Sequence, residues 1–331
     1  MTRRPSTHVK LFRKFLTTMQ IPGLMQDVGS VLVGFSGGLD SSVLLHLLVE
    51  YGKLHSLKVS VVHVHHGVRG EEADRDAEFC AQQSARLGCD FFLEKLPTYA
   101  IPPAEHVLRE LRYEKMIAVA RQSKIERIFL AHHLDDQVET FLFRLFTGTN
   151  LAGLGAMKVY RRPYIVRPLL GISKDELLRE AEACEIPYVS DSTNAQTYAR
   201  RNFLRKQLLP MVKTQINPRI AEHLGYLADS FQNLKEYIDG QVVHELAKIK
   251  LSEGLYSVSL FRSLPKVIRL NIIQNLYRVR TDIAKSDAGL SLRREQLFLV
   301  DKMLNASSKK LKVMLPAGVT CYKDGAGFYF H

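Results

Sequence analysis

Short apolar runs alternate with longer segments of helical periodicity through the first two thirds of this 331-residue chain. Runs rich in β-branched and aromatic residues predict strands at 31–35, 58–65, 90–94 and 128–131. Apolar residues spaced three and four apart predict helices from 41 onward and at 71–87, 104–122 and 134–147. Strands that are separated by helices predict an α/β fold in which helices cover both faces of a parallel sheet.

The pattern changes after about residue 215. Helical spacing predicts helices at 217–250, 264–283 and 291–304, and a β-rich run predicts a strand at 255–260. Residues 311–315 and 328–330 flank the turn residues Asp324 and Gly325, which predicts a small β-hairpin. We therefore expect two domains, an α/β domain over 1–215 and a smaller, mainly helical domain over 216–331 that ends in this hairpin.

Three segments with polar and ionisable side chains follow predicted strands, at 35–42, 63–69 and 132–139. Because the carboxyl ends of parallel strands meet at one edge of a sheet, we expect these segments to converge on one crevice.

The first polar segment is a glycine-rich turn between a strand and a helix, an arrangement that binds phosphate at the helix N-terminus. It differs from a Walker loop because it contains no lysine. Its carboxylate, Asp40, and a phosphate are both negative, so we expect Mg²⁺ to lie between them. A plain strand-to-helix connector is the alternative. The candidate residues for binding nucleotide phosphates are Ser36, Gly37, Gly38, Leu39, Asp40, Ser41 and Ser42.

The third polar segment, HHLDDQVET, is the densest polar cluster in the chain. Asp135, Asp136 and Glu139 lie at the predicted start of a helix, where they either complement the helix dipole or form part of a site. In a site they hold Mg²⁺ jointly with Asp40, or they hold an amine nucleophile. Either His132 or His133 is then placed to orient a substrate or move a proton.

Charge indicates a polyanionic partner. The chain has 46 Lys and Arg against 34 Asp and Glu, a net charge of +12. Basic residues gather at 158–167, 200–213 and 260–294, although a basic surface without a partner gives the same totals.

Four scattered cysteines, without a CxxC pair, are expected to be buried structural thiols. The absence of a long apolar run or a secretory signal predicts a cytoplasmic protein that does not bind membranes.

Eight short motifs occur in order between about residues 30 and 215. They are SGGLDS from Ser36, HVHHGVR from His63, LRELRY from Leu108, HHLDDQVET from His132, GLGAM from Gly153, RPLL from Arg167, DSTN from Asp191 and RNFLR from Arg201. Together they resemble the motif series of the tRNA(Ile)-lysidine synthetases, a family of the PP-loop superfamily of N-type ATP pyrophosphatases. The chain departs from the family's usual residues at His65 and Thr147, so local substrate contacts are expected to differ.

The resemblance implies an adenine nucleotide alpha hydrolase-like, Rossmann-like fold and a ligase that forms a carbon–nitrogen bond. It implies that ATP, with Mg²⁺, adenylates the wobble cytidine of tRNA(Ile) with a CAU anticodon. Free L-lysine then displaces AMP and gives lysidine, which changes codon specificity from AUG to AUA. Residues 1–215 would form the PP-loop catalytic domain and 216–331 a tRNA-binding domain, without the further C-terminal domain of longer members.

The resemblance also assigns roles to individual residues. The implied catalytic residues are Asp40, Arg112, His133, Asp136 and Glu139, with Asp40 and Asp136 as metal ligands. His63 joins the ATP-binding loop, and lysine is expected at Arg109, His132, Asp135 and Asp136. The expected tRNA contacts are Arg167, Asp191, Asn194, Arg201, Asn202 and Arg205.

Two other functions stay open on the sequence alone. One is another PP-loop enzyme, such as a tRNA thiolase or an amidotransferase, although the thiolases use cysteines that are missing here. The other is an RNA-binding protein without catalysis, which the retained carboxylates disfavour because acids hinder binding to phosphates. The oligomeric state is also open, with a homodimer among the options.

Overall fold

A computed structural model describes residues 6–65, 71–97, 103–189, 199–281 and 291–331. The chain divides into two compact units, Met1–Phe231 and Gln232–His331. The predicted functional division after residue 215 stays a prediction.

The first unit contains a six-stranded sheet and the helices that pack on it. Its strands are β1 (Ser30–Gly34), β2 (Lys58–His65), β3 (Asp90–Lys95), β4 (Arg127–Phe129), β5 (Tyr160–Arg161) and β6 (Ile165–Val166). Its helices are α1 (Ser6–Met19), α2 (Leu39–His55), α3 (Glu71–Arg86), α4 (Glu105–Gln122), α5 (Leu134–Thr147), α6 (Leu151–Leu154), α7 (Lys174–Ala183), α8 (Ala199–Phe203) and α9 (Leu209–Gln215). A π-helical turn, Leu204–Leu208, joins α8 to α9, and α10 (Ile220–Ile249) crosses into the second unit.

The sheet has the strand order β3-β2-β1-β4-β6-β5. Every neighbouring pair is parallel except β5 with β6, which forms an antiparallel edge. Successive residues of β1 face opposite sides, because side chains alternate along a strand. Val31 and Val33 belong to the apolar core that includes α1, α2 and α7, whereas Leu32 belongs to the core beneath α4. The predicted α/β fold with helices on both faces is confirmed.

The predicted elements in the first unit agree with the structure to within about two residues at their boundaries, but several short elements and two longer helices were not predicted. The hairpin of β5 and β6 has only two residues in each strand, which is too short for a period to be recognised. Helix α7 was also missed, although Ser173 and Glu176 form a capping box at its start. Helix α1 was missed although Leu11, Phe15 and Met19 are buried at four-residue spacing.

The second unit combines helices with a five-stranded antiparallel sheet. After the C-terminal half of α10, its elements are β7 (Lys250–Ser252), β8 (Leu255–Ser257), α11 (Val258–Ser263), α12 (Lys266–Arg280), α13 (Arg294–Asn305), β9 (Lys310–Met314), β10 (Thr320–Asp324) and β11 (Gly327–Phe330). The strand order is β7-β8-β11-β10-β9. Across the described ranges, no helix is both long and apolar enough to cross a membrane.

Two predictions for this unit are wrong in detail. The strand predicted at 255–260 ends at Ser257, because the Ser257 hydroxyl accepts the Leu260 amide at 3.3 Å and caps α11. Residues 311–315 and 328–330 do not pair with each other, since β9 and β11 each pair with the intervening strand β10. The hairpin with Asp324 and Gly325 at its turn is therefore part of a larger sheet.

Candidate active site

The turn between β1 and α2 has the geometry of a phosphate-binding loop. Gly37 adopts a φ of +83°, and Gly38 caps α2 in an extended conformation without a side-chain cap. The Ser41 hydroxyl donates to the Gly38 carbonyl at 3.0 Å, and the Ser42 hydroxyl donates to the Gly37 carbonyl at 3.3 Å. The Val189 amide also donates to the Gly37 carbonyl, at 2.9 Å. These bonds hold the loop so that the helix N-terminus remains available to an anion.

We expect Gly37→Ala to lower the free energy of unfolding by about 1–2 kcal/mol, the cost of a left-handed conformation for an L-residue. Its Cβ would also lie 3.2 Å from Phe79 and 3.3 Å from the Cys80 sulfur. Gly38→Ala is the matched control, because Gly38 has a φ of −73° and its Cβ would meet only Ser36, at 3.6 Å. Urea denaturation and ATP titration measure both variants, and equal effects would contradict this role of Gly37.

His63 lies beside this loop. It is buried in β2, and its Nδ1 lies 2.9 Å from the carbonyl oxygen of Phe35, the residue that follows β1. Burial lowers the pKa of His63, which favours a neutral imidazole with Nδ1 as the donor. The rest of the motif, residues 66–69, lies outside the described residues.

A histidine and three carboxylates meet where β1 and β4 end. His133 Nε2 lies 3.5 Å from Asp40 Oδ2 and 3.4 Å from Asp136 Oδ2, and His133 Nδ1 lies 3.4 Å from Asp135 Oδ2. The His133 backbone amide also donates to Asp136 Oδ2 at 3.1 Å, which fixes this carboxylate at the start of α5. The sequence segments 35–42 and 132–139 therefore converge, as predicted.

Electrostatic interactions in this cluster keep His133 positive and Asp40 and Asp135 negative. Burial alone lowers the pKa of His133, but Asp135, Asp40 and Asp136 outweigh burial and raise it to about 10. Burial alone raises the pKa of Asp40, but His133 and Lys174 outweigh it and lower the value below the ordinary range. For Asp135, burial is outweighed by His133 and by the Lys174 amide, so that its pKa is about 2.

Lys174 is a site residue that the sequence analysis did not identify. Its Nζ lies 3.8 Å from Asp40 Oδ2, and its backbone amide donates to Asp135 Oδ2 at 2.8 Å. Lys174 is the first residue of α7, and no local pattern links this helix to the phosphate loop. The capping box at Ser173 predicts a helix start there, but it does not predict which loop the lysine faces.

Glu139 joins the carboxylate cluster to two predicted tRNA contacts. It is buried, and Arg205 Nε donates to its Oε2 at 3.0 Å while Arg205 Nη2 lies 2.7 Å from the same oxygen. Arg205 Nη2 is also 3.3 Å from Asp136 Oδ1. Arg201 Nε lies 3.7 Å from Glu139 Oε1, and its guanidinium is 5.2 Å from the centre of the Phe143 ring. The structure thus brings the predicted catalytic and tRNA-binding residues together.

Other predicted residues surround this cluster. Burial and the positive charge of Arg167 lower the pKa of His132 to about 4. Arg167 is itself buried, and its Nη1 donates to the Lys158 carbonyl at 3.0 Å. Arg109 and Arg112 lie on α4 and are partly buried, and the charge of Arg109 acts on His132. Asn202 lies on α8, whereas Asp191 and Asn194 fall outside the described residues.

Two supporting side chains were also not predicted. Gln137 exchanges two hydrogen bonds with the backbone of Met157, at 3.0 Å and 2.8 Å. Arg144 donates to the carbonyls of Gly153 and Ala156, both at 2.9 Å. Both side chains therefore connect α5 to the GLGAM motif. The sequence did not predict which residues contact this motif.

The profile of the PP-loop domain matches residues 8–212. The chain belongs to the PP-loop family. The match includes the glycine-rich turn, the carboxylate cluster and both arginines that Glu139 binds, so this PP-loop domain contains the whole candidate site described above.

Curated relatives of this PP-loop protein are named tRNA(Ile)-lysidine synthase. The relative from Clostridioides difficile (strain 630) is 30% identical over 275 residues, which cover 80% of this chain and 59% of the relative. The relative from Solibacter usitatus (strain Ellin6076) is 35% identical, with 78% of this chain and 57% of the relative covered. The chain thus spans less than two thirds of these two proteins. A relative from Chlorobaculum tepidum is 29% identical, with coverages of 82% and 84%.

Among solved structures, the PP-loop protein is similar to the U34-tRNA thiolase NcsA from Methanococcus maripaludis with its [4Fe-4S] cluster. The TM-score is 0.57 at 22% identity, with 70% of this chain and 80% of that chain covered. At this identity the likeness shows a shared fold.

Proposed function

We propose that this protein is a tRNA(Ile)-lysidine synthase that uses ATP and free L-lysine to convert the wobble cytidine of a CAU anticodon to lysidine. The observation that carries this proposal is the convergence of the PP-loop, the carboxylate cluster and the arginines bound to Glu139. The names and the sequence identities of the curated relatives also support it.

The first step is adenylation of the base. The 2-carbonyl oxygen of cytosine attacks the α-phosphorus of ATP, a new oxygen–phosphorus bond forms, and the bond to the β-phosphate breaks as pyrophosphate leaves. The free end of α2, held open by Gly37 and Gly38, binds the phosphates. Arg112 on α4 is assigned to stabilise the negative charge of the adenylated intermediate.

The second step joins lysine to the base. The neutral ε-amine of lysine attacks the ring carbon, the bond to the oxygen of AMP breaks, and the amine loses a proton. Asp135, Asp136, Arg109 and His132 are assigned to bind the lysine. The imidazole of His132 is neutral because its pKa is about 4, and its Nδ1 has no hydrogen-bond partner among the described residues. It is therefore suited to orient the lysine through a hydrogen bond, whereas a pKa of about 4 makes it a weak proton acceptor.

The carboxylates fit a magnesium ion. Asp40 Oδ1 is buried and has no hydrogen-bond partner within the described ranges, and hard cations prefer such carboxylate oxygens. Asp40 and Asp136 would hold the ion, which supplies positive charge against the phosphate oxygens.

The remaining arginines are proposed to bind the anticodon loop, whose bases are single-stranded and reach a crevice without the opening of a duplex. Arg201 and Arg205 are positioned by Glu139, and Arg167 by the Lys158 carbonyl. Residues 216–331 are proposed to bind tRNA outside this loop. We place the protein in the cytoplasm, where tRNA is modified.

The direct test incubates the purified chain with ATP, radiolabelled lysine and unmodified tRNA(Ile) that carries a CAU anticodon. Lysine label in the tRNA, with AMP and pyrophosphate released in equal amounts, is the expected result. Methionine tRNA with the same anticodon serves as the control. Release of AMP without incorporation of lysine would exclude a lysidine synthase.

Two cysteines of the first unit, Cys80 and Cys89, do not favour sulfur transfer. Burial raises the pKa of the Cys80 thiol strongly and that of Cys89 to about 11, so neither is a ready thiolate nucleophile. Mass spectrometry of the digested tRNA distinguishes a lysyl substituent from a thiocarbonyl in the same assay.

We expect Lys174→Met to weaken ATP binding about 10- to 100-fold, because a charge-assisted hydrogen bond to a phosphate contributes roughly 1.5–3 kcal/mol. Lys213→Met is the matched control, since Lys213 pairs with Asp175, the next residue of α7, at 3.3 Å. Isothermal titration with ATP and Mg²⁺ measures both variants. If both bind ATP as the wild type does, Lys174 does not contact the nucleotide.

A further inference from the structure

The C-terminal unit contains a cavity of about 330 Å³ whose polar lining is entirely basic or neutral. It lies between α11, the segment that links α13 to β9, and the turn between β10 and β11. The polar lining consists of Ser259, Arg262, Ser307, Ser308, Lys309 and Lys323. No Asp or Glu among the residues that the structure describes belongs to the lining, so the side chains favour an anionic ligand.

Lys323 forms the buried floor of this cavity. The residue is only 3% exposed, and its Nζ donates to the Ala306 carbonyl at 2.5 Å. Arg262 donates to the same oxygen through Nη2 and to the Leu304 carbonyl through Nε at 2.9 Å. Two cations therefore share one uncharged acceptor, and neither forms an ion pair within the part of the chain that the structure describes.

This lack of a counterion is unusual for a buried lysine, which is normally paired. Burial and the charge of Arg262 lower the pKa of Lys323, as expected for an ammonium group without compensation. Elsewhere in the same unit, Arg269 is neutralised by Asp301 through contacts of 2.7 Å and 3.2 Å. Among the described residues, the unit thus supplies a carboxylate for Arg269 but none for Lys323.

The C-terminus of α13 accounts for only part of the charge. Leu304 and Ala306 present their carbonyls there, and a helix C-terminus carries roughly half a negative charge. Arg262 is exposed, so water screens part of its charge, whereas the positive charge of the buried Lys323 is only partly balanced by the helix end. An anion with several acceptor oxygens corrects this imbalance.

We propose that this cavity binds a phosphate group of the RNA backbone, with Lys323 and Arg262 providing charge and the serine hydroxyls providing further donors. The choice of RNA rests on the proposed function, in which tRNA is the substrate. Ser307, Ser308 and Lys309 are exposed at the rim, so a phosphate within a long polyanion reaches the cavity. Free phosphate has the same chemistry, and the experiment separates these two sources.

The test uses the full chain with Lys323→Met, which removes the charge, keeps most of the length of the side chain and leaves Arg262 to bind the Ala306 carbonyl. Lys312→Met is the matched control, because Lys312 is exposed and lies at the neighbouring β9 position, on the opposite face of the sheet from Lys323. Fluorescence anisotropy measures tRNA affinity over a range of KCl concentrations. Lys323→Met should weaken binding about fivefold and reduce the log–log salt slope by about one, unlike the control.

A second measurement uses inorganic phosphate as the probe. Phosphate should raise the melting temperature of the wild type above that in chloride at equal ionic strength, and Lys323→Met should lose this increase. Loss of the phosphate effect with unchanged tRNA affinity and salt slope would assign the cavity to free phosphate and overturn the RNA proposal. Unchanged tRNA affinity, slope and phosphate effect would overturn the site altogether.

Folding and the proposed activity are checked separately. If Lys323→Met does not fold, Ser308→Asp adds a negative charge at the exposed rim and should also weaken tRNA binding, whereas unchanged binding overturns the site. Incorporation of lysine by the wild type tests the proposed function independently. A wild type that binds tRNA in this cavity without incorporating lysine would leave the site intact and refute only the synthase assignment.

Discussion

Replacing Asp40 by asparagine should slow the adenylation of tRNA about 10²–10³-fold, the usual effect of removing a preorganised charged group from an active site. Asp40 Oδ2 lies 3.5 Å from His133 Nε2 and 3.8 Å from Lys174 Nζ, and its Oδ1 is unsatisfied among the described residues. Asparagine keeps the shape but loses the negative charge, so it holds Mg²⁺ poorly. The fold should persist, because His133 keeps Asp135 and Asp136 as partners.

AMP release in the presence of tRNA and lysine measures this effect, and a urea titration checks the fold. Asp90→Asn is the matched control, since Asp90 is an exposed aspartate at the amino end of β3, whereas the site lies at the carboxyl ends of the strands. A variant Asp40→Asn with normal AMP release would remove Asp40 from the proposed mechanism.

Glu139→Gln should slow the proposed transfer of lysine to tRNA about 10²-fold, because the arginines that we propose to position the substrate lose their anchor. Glu139 is buried and contacts both Arg201 and Arg205. When Glu139 is neutralised, the positive charges of Arg201 and Arg205 remain without this carboxylate partner. Arg144 lies near Arg201, and its pKa is lowered by burial and then by the charge of Arg201. We expect the free energy of unfolding to fall by about 2 kcal/mol, since the arginines are partly exposed and regain some hydration.

A double-mutant cycle measures the coupling energy between Glu139 and Arg205 apart from the other effects of each substitution. Glu139→Gln, Arg205→Met and the double variant are compared by single-turnover lysine transfer and by denaturation. The double variant should lose less than the sum of the single changes, while ATP affinity stays constant. Strictly additive losses would show that the pair does not act as a unit.

The phosphate loop was predictable because its determinants are local. A β-branched run, two glycines and the start of an apolar helix lie within one short segment, and Gly37 adopts the positive φ that such a turn requires. The start of α5 was predictable for the same reason. Asp136 lies three residues after His133 and accepts its amide, a capping contact within one helical turn.

The C-terminal sheet shows where local signals fail. β10 was missed, and β9 and β11 were joined to each other, because pairing between strands depends on partners distant in the sequence. The strand predicted at 255–260 changes to a helix at Val258, since the Ser257 cap overrides the β-rich composition.

The sequence by itself determined the α/β fold of the first unit and the residues that form the phosphate loop and the carboxylate cluster. Only the tertiary structure decided that Lys174 faces Asp40, that Arg205 binds Glu139, and that Lys323 and Arg262 share one carbonyl. The reason is physical. Backbone conformation and helix capping depend on neighbours within a few residues, whereas charge pairs between distant segments depend on how helices and strands pack.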